Sequence, residues 1–192
     1  MDKLILRPGR EKALKRRHPW IFSGAIARVE GEPGSGDTVE AWSGSGERLA
    51  TAAYSPNSQI RARVWDWSPR LIDREFFIAQ VERAVRARRG TVAGATDAVR
   101  LLNGEADGLP GVVADRYGDV IVLQLSSAGA ERWRDAIADA LVQATGVSAI
   151  WERSDADVRA LEGLEPRSGP LRGSPPPSCV IHEHGLAFEV AL

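Results

Sequence analysis

Apolar and polar positions alternate in short runs through the first ~67 residues, and each run predicts a strand: Lys3 to Arg7, Ala25 to Glu30, Asp37 to Trp42, Leu49 to Tyr54 and Gln59 to Trp67. Between them lie GEPGSG and SGSGE, glycine-rich clusters suited to tight turns. The last run sets Ile60, Ala62, Val64 and Asp66 on one face and Arg61, Arg63, Trp65 and Trp67 on the other. The first face is expected to be buried, the second basic and aromatic. One short helical signal, Glu11 to Arg17, interrupts a pattern that otherwise points to a small, nearly closed β-barrel.

The period then changes. Asp73 is placed to cap a helix running to about Arg89, with Phe77, Val81, Ala84 and Val85 as its apolar stripe; Gly90 and TVAGATD end it. A strand at Val99 to Leu102 and a turn-rich NGEADGLPG follow. Two strands, Val112 to Arg116 and Val120 to Leu125, then read as a hairpin. A second helix is expected from Ala130 to Thr145, closed by Gly146, then a strand from Ala149 to Arg153 and a short helix ending at Gly163. PRSGPLRGSPPP, Pro166 to Pro177, reads as an exposed loop, and CVIHEHGLAFEVAL as two strands around His184 and Gly185. The expected class is α+β, with a barrel over residues 1–70 and a small α+β domain over 71–192. The apolar end, Ala187 to Leu192, has no polar tail, so more chain is expected to follow it.

The 192 residues are 43% hydrophobic with one cysteine, which excludes disorder and a disulfide scaffold. No run of ~18 apolar residues is present and MDKLILRPGR has no leader-like core, so a cytoplasmic protein without a membrane partner is expected. The formal net charge of -1 hides an asymmetry. Residues 1–90 carry 17 basic and 11 acidic side chains, and residues 91–192 carry 8 and 15. Residues 3 to 17 alone hold seven cations against Glu11, a density that points to a polyanion.

Familiar cofactor and nucleophile motifs are absent: no G-x-G-x-x-G, no phosphate-binding G-x-x-x-x-G-K-[ST], no G-x-S-x-G and no paired C-x-x-C. His182 and His184 fall on one face of a predicted strand but lack a third ligand, so no metal site is expected. Cys179, at a strand start after three prolines, reads as a small buried hydrophobe rather than a nucleophile. Glu105 and Asp107 read as turn residues. RNA binding needs cations for phosphate and flat rings for bases, and REKALKRRHPW, residues 10 to 20, supplies both. Trp20 serves stacking or a domain interface equally well, whereas Trp65 and Trp67 favour packing against the second domain.

Four segments are similar to the bacterial large-subunit ribosomal RNA cytosine-C5 methyltransferases of the RlmI type: GREKALKRRHPWIFSGAIARVEG, AAYSPNSQIRARV, LLNGEADGLPGVVADRYGDVIVLQ and ERSDADVRALEGL. The resemblance implies an N-terminal PUA RNA-binding domain, a central α+β domain and a C-terminal Rossmann-like methyltransferase domain that uses S-adenosylmethionine. That last domain is expected beyond Leu192, and with it the family's catalytic cysteine and cofactor loop. The chain alone is therefore expected to be inactive, with no catalytic, cofactor-binding or metal residues of its own. Large-subunit ribosomal RNA is the implied partner; a homodimer stays open. RNA contact falls on Lys12, Lys15, Arg16 and Arg17, joined by Arg10, His18 and Arg61. The competing reading is a self-contained RNA- or protein-binding adaptor. The central part is expected to space and orient its neighbours through Asn103, Asp107, Asp115, Arg116 and Arg153.

Overall fold

The computed structural model describes residues 1–89 and 96–192; the expected helix end at Gly90 and most of TVAGATD lie outside the described residues. Six strands, β1 (Lys3–Leu6), β2 (Trp20–Phe22), β3 (Ile26–Glu30), β4 (Thr38–Trp42), β5 (Arg48–Tyr54) and β6 (Ile60–Asp66), form one sheet in the order β2-β6-β5-β4-β1-β3. All neighbours are antiparallel except β1 and β4. Inside it Leu4, Leu6, Ile21, Val39, Ala52 and Val64 make a core that helix α1 (Lys12–Lys15) joins through Leu14. Strand β2 escaped the pattern reading because only Ile21 of its three residues is buried, too short a run to show alternation.

A second sheet has the order β11-β10-β9-β8-β7, built from β7 (Ala98–Asn103), β8 (Val112–Tyr117), β9 (Val120–Leu125), β10 (Ala149–Ser154) and β11 (Arg167–Arg172). Helices α2 (Arg74–Arg88), α3 (Ala128–Arg132) and α4 (Arg134–Thr145) accompany it. Phe76, Phe77 and Val81 of α2 and Ile137 and Leu141 of α4 pack with Leu102, Val112, Leu123 and Ile150 from one face of the sheet. Asp73 caps α2 as its sequence position promised, its carboxylate accepting from the Phe76 amide at 2.9 Å. A short helix α5 (Val158–Leu161) and a hairpin of β12 (Ser178–Glu183) and β13 (Leu186–Ala191) complete the chain. Among the described residues no helix is long and apolar enough to cross a membrane.

Three local expectations need correction. Pro166 to Pro177 is not a loop throughout, because Arg167–Arg172 pairs with β10 and satisfies that strand's outer backbone groups. Pro170 is tolerated since β11 is an edge strand, where a missing N–H faces away from the ladder. The helix read from Ala130 to Thr145 starts earlier, at Ala128, and breaks at Trp133, whose ring packs on Phe77 at 4.9 Å. The α+β class also fails at the centre of the sheet. Strands β9 and β10 run parallel, Ile121 opposite Ile150, and are joined through α3 and α4. That is a β-α-β crossover, an α/β arrangement that hairpin signals on either side had concealed.

The two sheets share a core. The outer face of β5 and β6 delivers Ala53 and Trp65 into the second cluster, where Trp65, 3% exposed, meets the edges of Phe76 and Phe77 at 6.3 and 5.3 Å. Gly129 of α3 lies against both. A Cβ placed there would meet Ala53 and approach the Trp65 ring to 2.8 Å. Gly129→Ala is therefore expected to destabilise the protein by about 2 kcal/mol through overpacking. That corresponds to roughly 4–8 °C in a thermal melt of a chain this size; an unchanged melt would show that this contact does not dock the sheets.

Candidate nucleic-acid interface

Helix α1 is a single turn anchored by one buried side chain, Leu14, so its other residues are turned to solvent. Arg10, Lys12, Lys15, Arg16, Arg17 and His18 are all exposed. Among the described residues Arg10, Lys12 and Arg16 have no ion-pair partner. Lys15 donates to Glu47 at 2.6 Å, and that hydrogen bond raises its pKa. Arg17 ends the helix in the left-handed region, φ 65°, where glycine is usual. Its guanidinium lies 5.0 Å over the Trp67 ring, a cation–π contact that helps hold the strained backbone. His18 accepts from the Trp20 amide and meets the Trp20 ring edge-on at 5.8 Å.

Arg61 does not join this cluster. It lies six residues along β6 from Trp67, ~20 Å at ~3.3 Å per residue, and donates to the Pro56 carbonyl at 2.6 Å. The outer face of β6 is not a basic aromatic surface: Trp65 is core, and Arg63 is buried against Glu162 at 2.6 Å. Trp20 is half-buried and donates through Nε1 to Glu105 at 2.7 Å, so it ties the first sheet to the turn after β7. Asp107 accepts from the Asn103 amide and holds Arg88, while Asp115 pairs with Arg100 and Arg116 donates to the Gly118 carbonyl. Arg153 is exposed.

Pattern reading missed the most heavily bonded charges. Glu162, 1% exposed, accepts from Arg63, from Ser55 Oγ at 2.7 Å and from the Ala128 amide at 3.2 Å. Burial opposes its ionisation, but Ser55, Ser58 and Arg63 outweigh that and hold its pKa below the usual glutamate range. Arg159, 2% exposed, donates to the Leu125 and Glu165 carbonyls and to Glu131. No periodicity marks such residues, because their partners are far away in sequence.

His182 and His184 do not share a strand face: β12 ends at Glu183 and His184 sits in the turn with φ 50°. His182 instead faces Asp97, whose carboxylate it holds below its ordinary pKa by backbone and side-chain hydrogen bonds. Burial, and then Asp97, push the Cys179 thiol up. Its alkylation by iodoacetamide is expected to accelerate only above the pH at which a free cysteine reacts; a midpoint below that of free cysteine would show an activated thiolate.

Residues 4–67 match the PUA-like domain family. Over 193 residues the chain is 49% identical to the ribosomal RNA large subunit methyltransferase I of Erwinia tasmaniensis, covering 99% of this chain and 49% of that protein. The proteins of the same name from Escherichia coli O1:K1 and Aliivibrio fischeri are each 48% identical, over 99% and 98% of this chain and 49% and 48% of theirs. The chain spans about half the length of the curated relatives it matches. Its fold is similar to that of a putative SAM-dependent methyltransferase from Streptococcus mutans, with a TM-score of 0.83 at 24% identity over 100% of this chain and 49% of that one. It is equally similar to a putative methyltransferase complexed with SAH, with a TM-score of 0.84 at 24% identity over 100% of this chain and 48% of that one.

The resemblance seen in four segments thus extends over 99% of the chain. The same matches overturn three expectations. The methyltransferase fold was placed wholly outside the chain, yet two structures described as putative methyltransferases overlie it along its entire length. A catalytically silent chain was expected, yet the relatives matched over nearly all of it are named methyltransferases. A cofactor-free chain was expected, yet one of the proteins sharing this fold is complexed with SAH.

Proposed function

We propose that the protein is a methyltransferase of large-subunit ribosomal RNA, that S-adenosylmethionine is its methyl donor, and that α1 with its flanking turns is the face that grips the RNA. The resemblance points to cytosine C5 as the acceptor and to the cytoplasm as the place of action. We divide the chain at about residue 70 into a PUA-like RNA-binding part and a central part that takes its share in catalysis. The observation that carries this reading is the cluster of exposed cations on a helix with a single buried anchor. A surface of that kind meets phosphate by charge and leaves sequence choice to other contacts.

S-adenosylmethionine supplies an electrophilic methyl group on a sulfonium. A helix N-terminus can seat its carboxylate, but those of α2 and α3 are closed by the side chains of Asp73 and Ser127. These termini do not fit the cofactor. The contribution of the first part is positional: Arg10, Lys12, Arg16 and Arg17 neutralise phosphates while Leu14 and the Arg17–Trp67 contact keep their backbone in place.

The reading is tested by titrating a transcribed large-subunit ribosomal RNA fragment with the protein and following labelled methyl transfer from S-adenosylmethionine. Saturable binding at low ionic strength with methyl incorporation is expected. Absence of binding at low salt overturns it.

A further inference from the structure

The helices cover one face of the second sheet and leave on the other a mixture of charged, polar and apolar side chains. Cross-strand register lays out a row Arg100–Asp115–Val122–Trp151 over β7, β8, β9 and β10. Beside it Val113 faces Gln124, and Arg153 follows one step along β10. Tyr117 stands two residues beyond Asp115, and the end of β13, Val190 to Leu192, walls the far side. Together with Asp155 these residues, Trp151 excepted, line a cleft of about 230 Å³. At ~30 Å³ per water-sized group it has room for about eight, one ring system rather than a stretch of chain.

Its chemistry selects among occupants. Arg100 and Asp115 neutralise each other at 2.8 Å. Arg153 and Asp155 leave the remainder balanced, so net charge alone does not draw a polyanion into the cleft. The Gln124 amide, which carries donors and an acceptor together, has no partner among the described residues, and neither has the Tyr117 hydroxyl. Burial, then Asp115, push the Tyr117 pKa up, which keeps the phenol neutral and its ring available. A flat apolar ring, an amide that matches a donor–acceptor edge and a guanidinium at the mouth are the parts a nucleotide requires.

We propose that this helix-free sheet face holds one unpaired nucleotide of an RNA substrate, its base against Tyr117, its polar edge on Gln124 and its backbone near Arg153. The site rests on the proposed RNA substrate but not on α1. Phosphates are gripped by the first sheet's helix, and a base is held by the second sheet.

The test is fluorescence anisotropy of the full chain with a labelled single-stranded oligocytidylate hexamer, beside a fully paired RNA hairpin. Tyr117→Ala is expected to weaken hexamer binding about 10-fold, within the range for loss of one stacked base. Tyr117→Phe keeps the ring and should bind as the original does. Arg153→Ala, at an exposed position with no packing to lose, should also weaken the hexamer. Hairpin binding should be unchanged in all three. The cleft is overturned if Tyr117→Ala and Arg153→Ala bind the hexamer normally, or if both RNAs weaken equally. If hexamer binding depends on Tyr117 while reversal of the α1 charges leaves the hairpin bound, the cleft stands and the α1 reading fails instead.

Discussion

Glu162→Ala is expected to lower stability by about 3–5 kcal/mol, because it leaves the buried Arg63 charge without its carboxylate. For a chain of this length that is roughly 6–20 °C in melting temperature, a large share of the ~5–15 kcal/mol that holds a typical protein folded. Glu162 also accepts from Ser55, just after β5, and from the Ala128 amide at the start of α3, so its loss orphans partners on both sides of the contact. Glu162→Gln keeps the shape and removes the charge, and an intermediate loss should follow. The carboxyl's folded pKa lies below the ordinary 4.5, so its contribution is fully present above that value and disappears as pH falls through the lower folded one. The gap between the original protein and Glu162→Gln, measured by circular dichroism, should therefore be constant near neutrality and shrink below about pH 4.5. A gap that widened on acidification would contradict the assignment.

That contact also shows where sequence patterns stop being informative. Period-two and period-3.6 signals found nearly every strand and helix, since they depend only on which side of an element meets the core. They failed where partners were remote. In the alternation Arg61–Arg63–Trp65–Trp67 the packing of Trp65 against the second part was legible, but the burial of Arg63 was not: its partner Glu162, just after α5, is remote in sequence and nothing local announces it. Strand β11 was hidden by proline and glycine; glycine keeps its N–H and pairs with β10 at Gly169, and proline breaks a strand only where a partner needs the N–H, which β10 does not at Pro170. The cationic cluster was legible because exposure of a charged run is the default. Arg61 was grouped with it by residue type, and only strand geometry separates them.

Reversing Lys12, Lys15, Arg16 and Arg17 to glutamate should have the second large effect, this time on binding. Removing one phosphate–cation pair lowers the slope of log affinity against log salt by about 0.7 for single-stranded RNA, so the four reversals flatten it by about 3 at most. The four positions should not contribute equally. Lys15 is already engaged by Glu47, and its reversal mainly sets two carboxylates side by side; Lys12 and Arg16, with no ion-pair partner among the described residues, should each account for close to one phosphate. Arg17→Glu removes both a phosphate partner and the cation over Trp67, so it alone should disturb the end of α1. Leu14 remains buried in every case, and thermal melts should stay close to the original. Arg61→Glu serves as the spatial control. At the opposite end of β6 it should leave the slope unchanged if the RNA rests on α1, whereas a loss equal to that of Arg16→Glu would move the interface onto the strand.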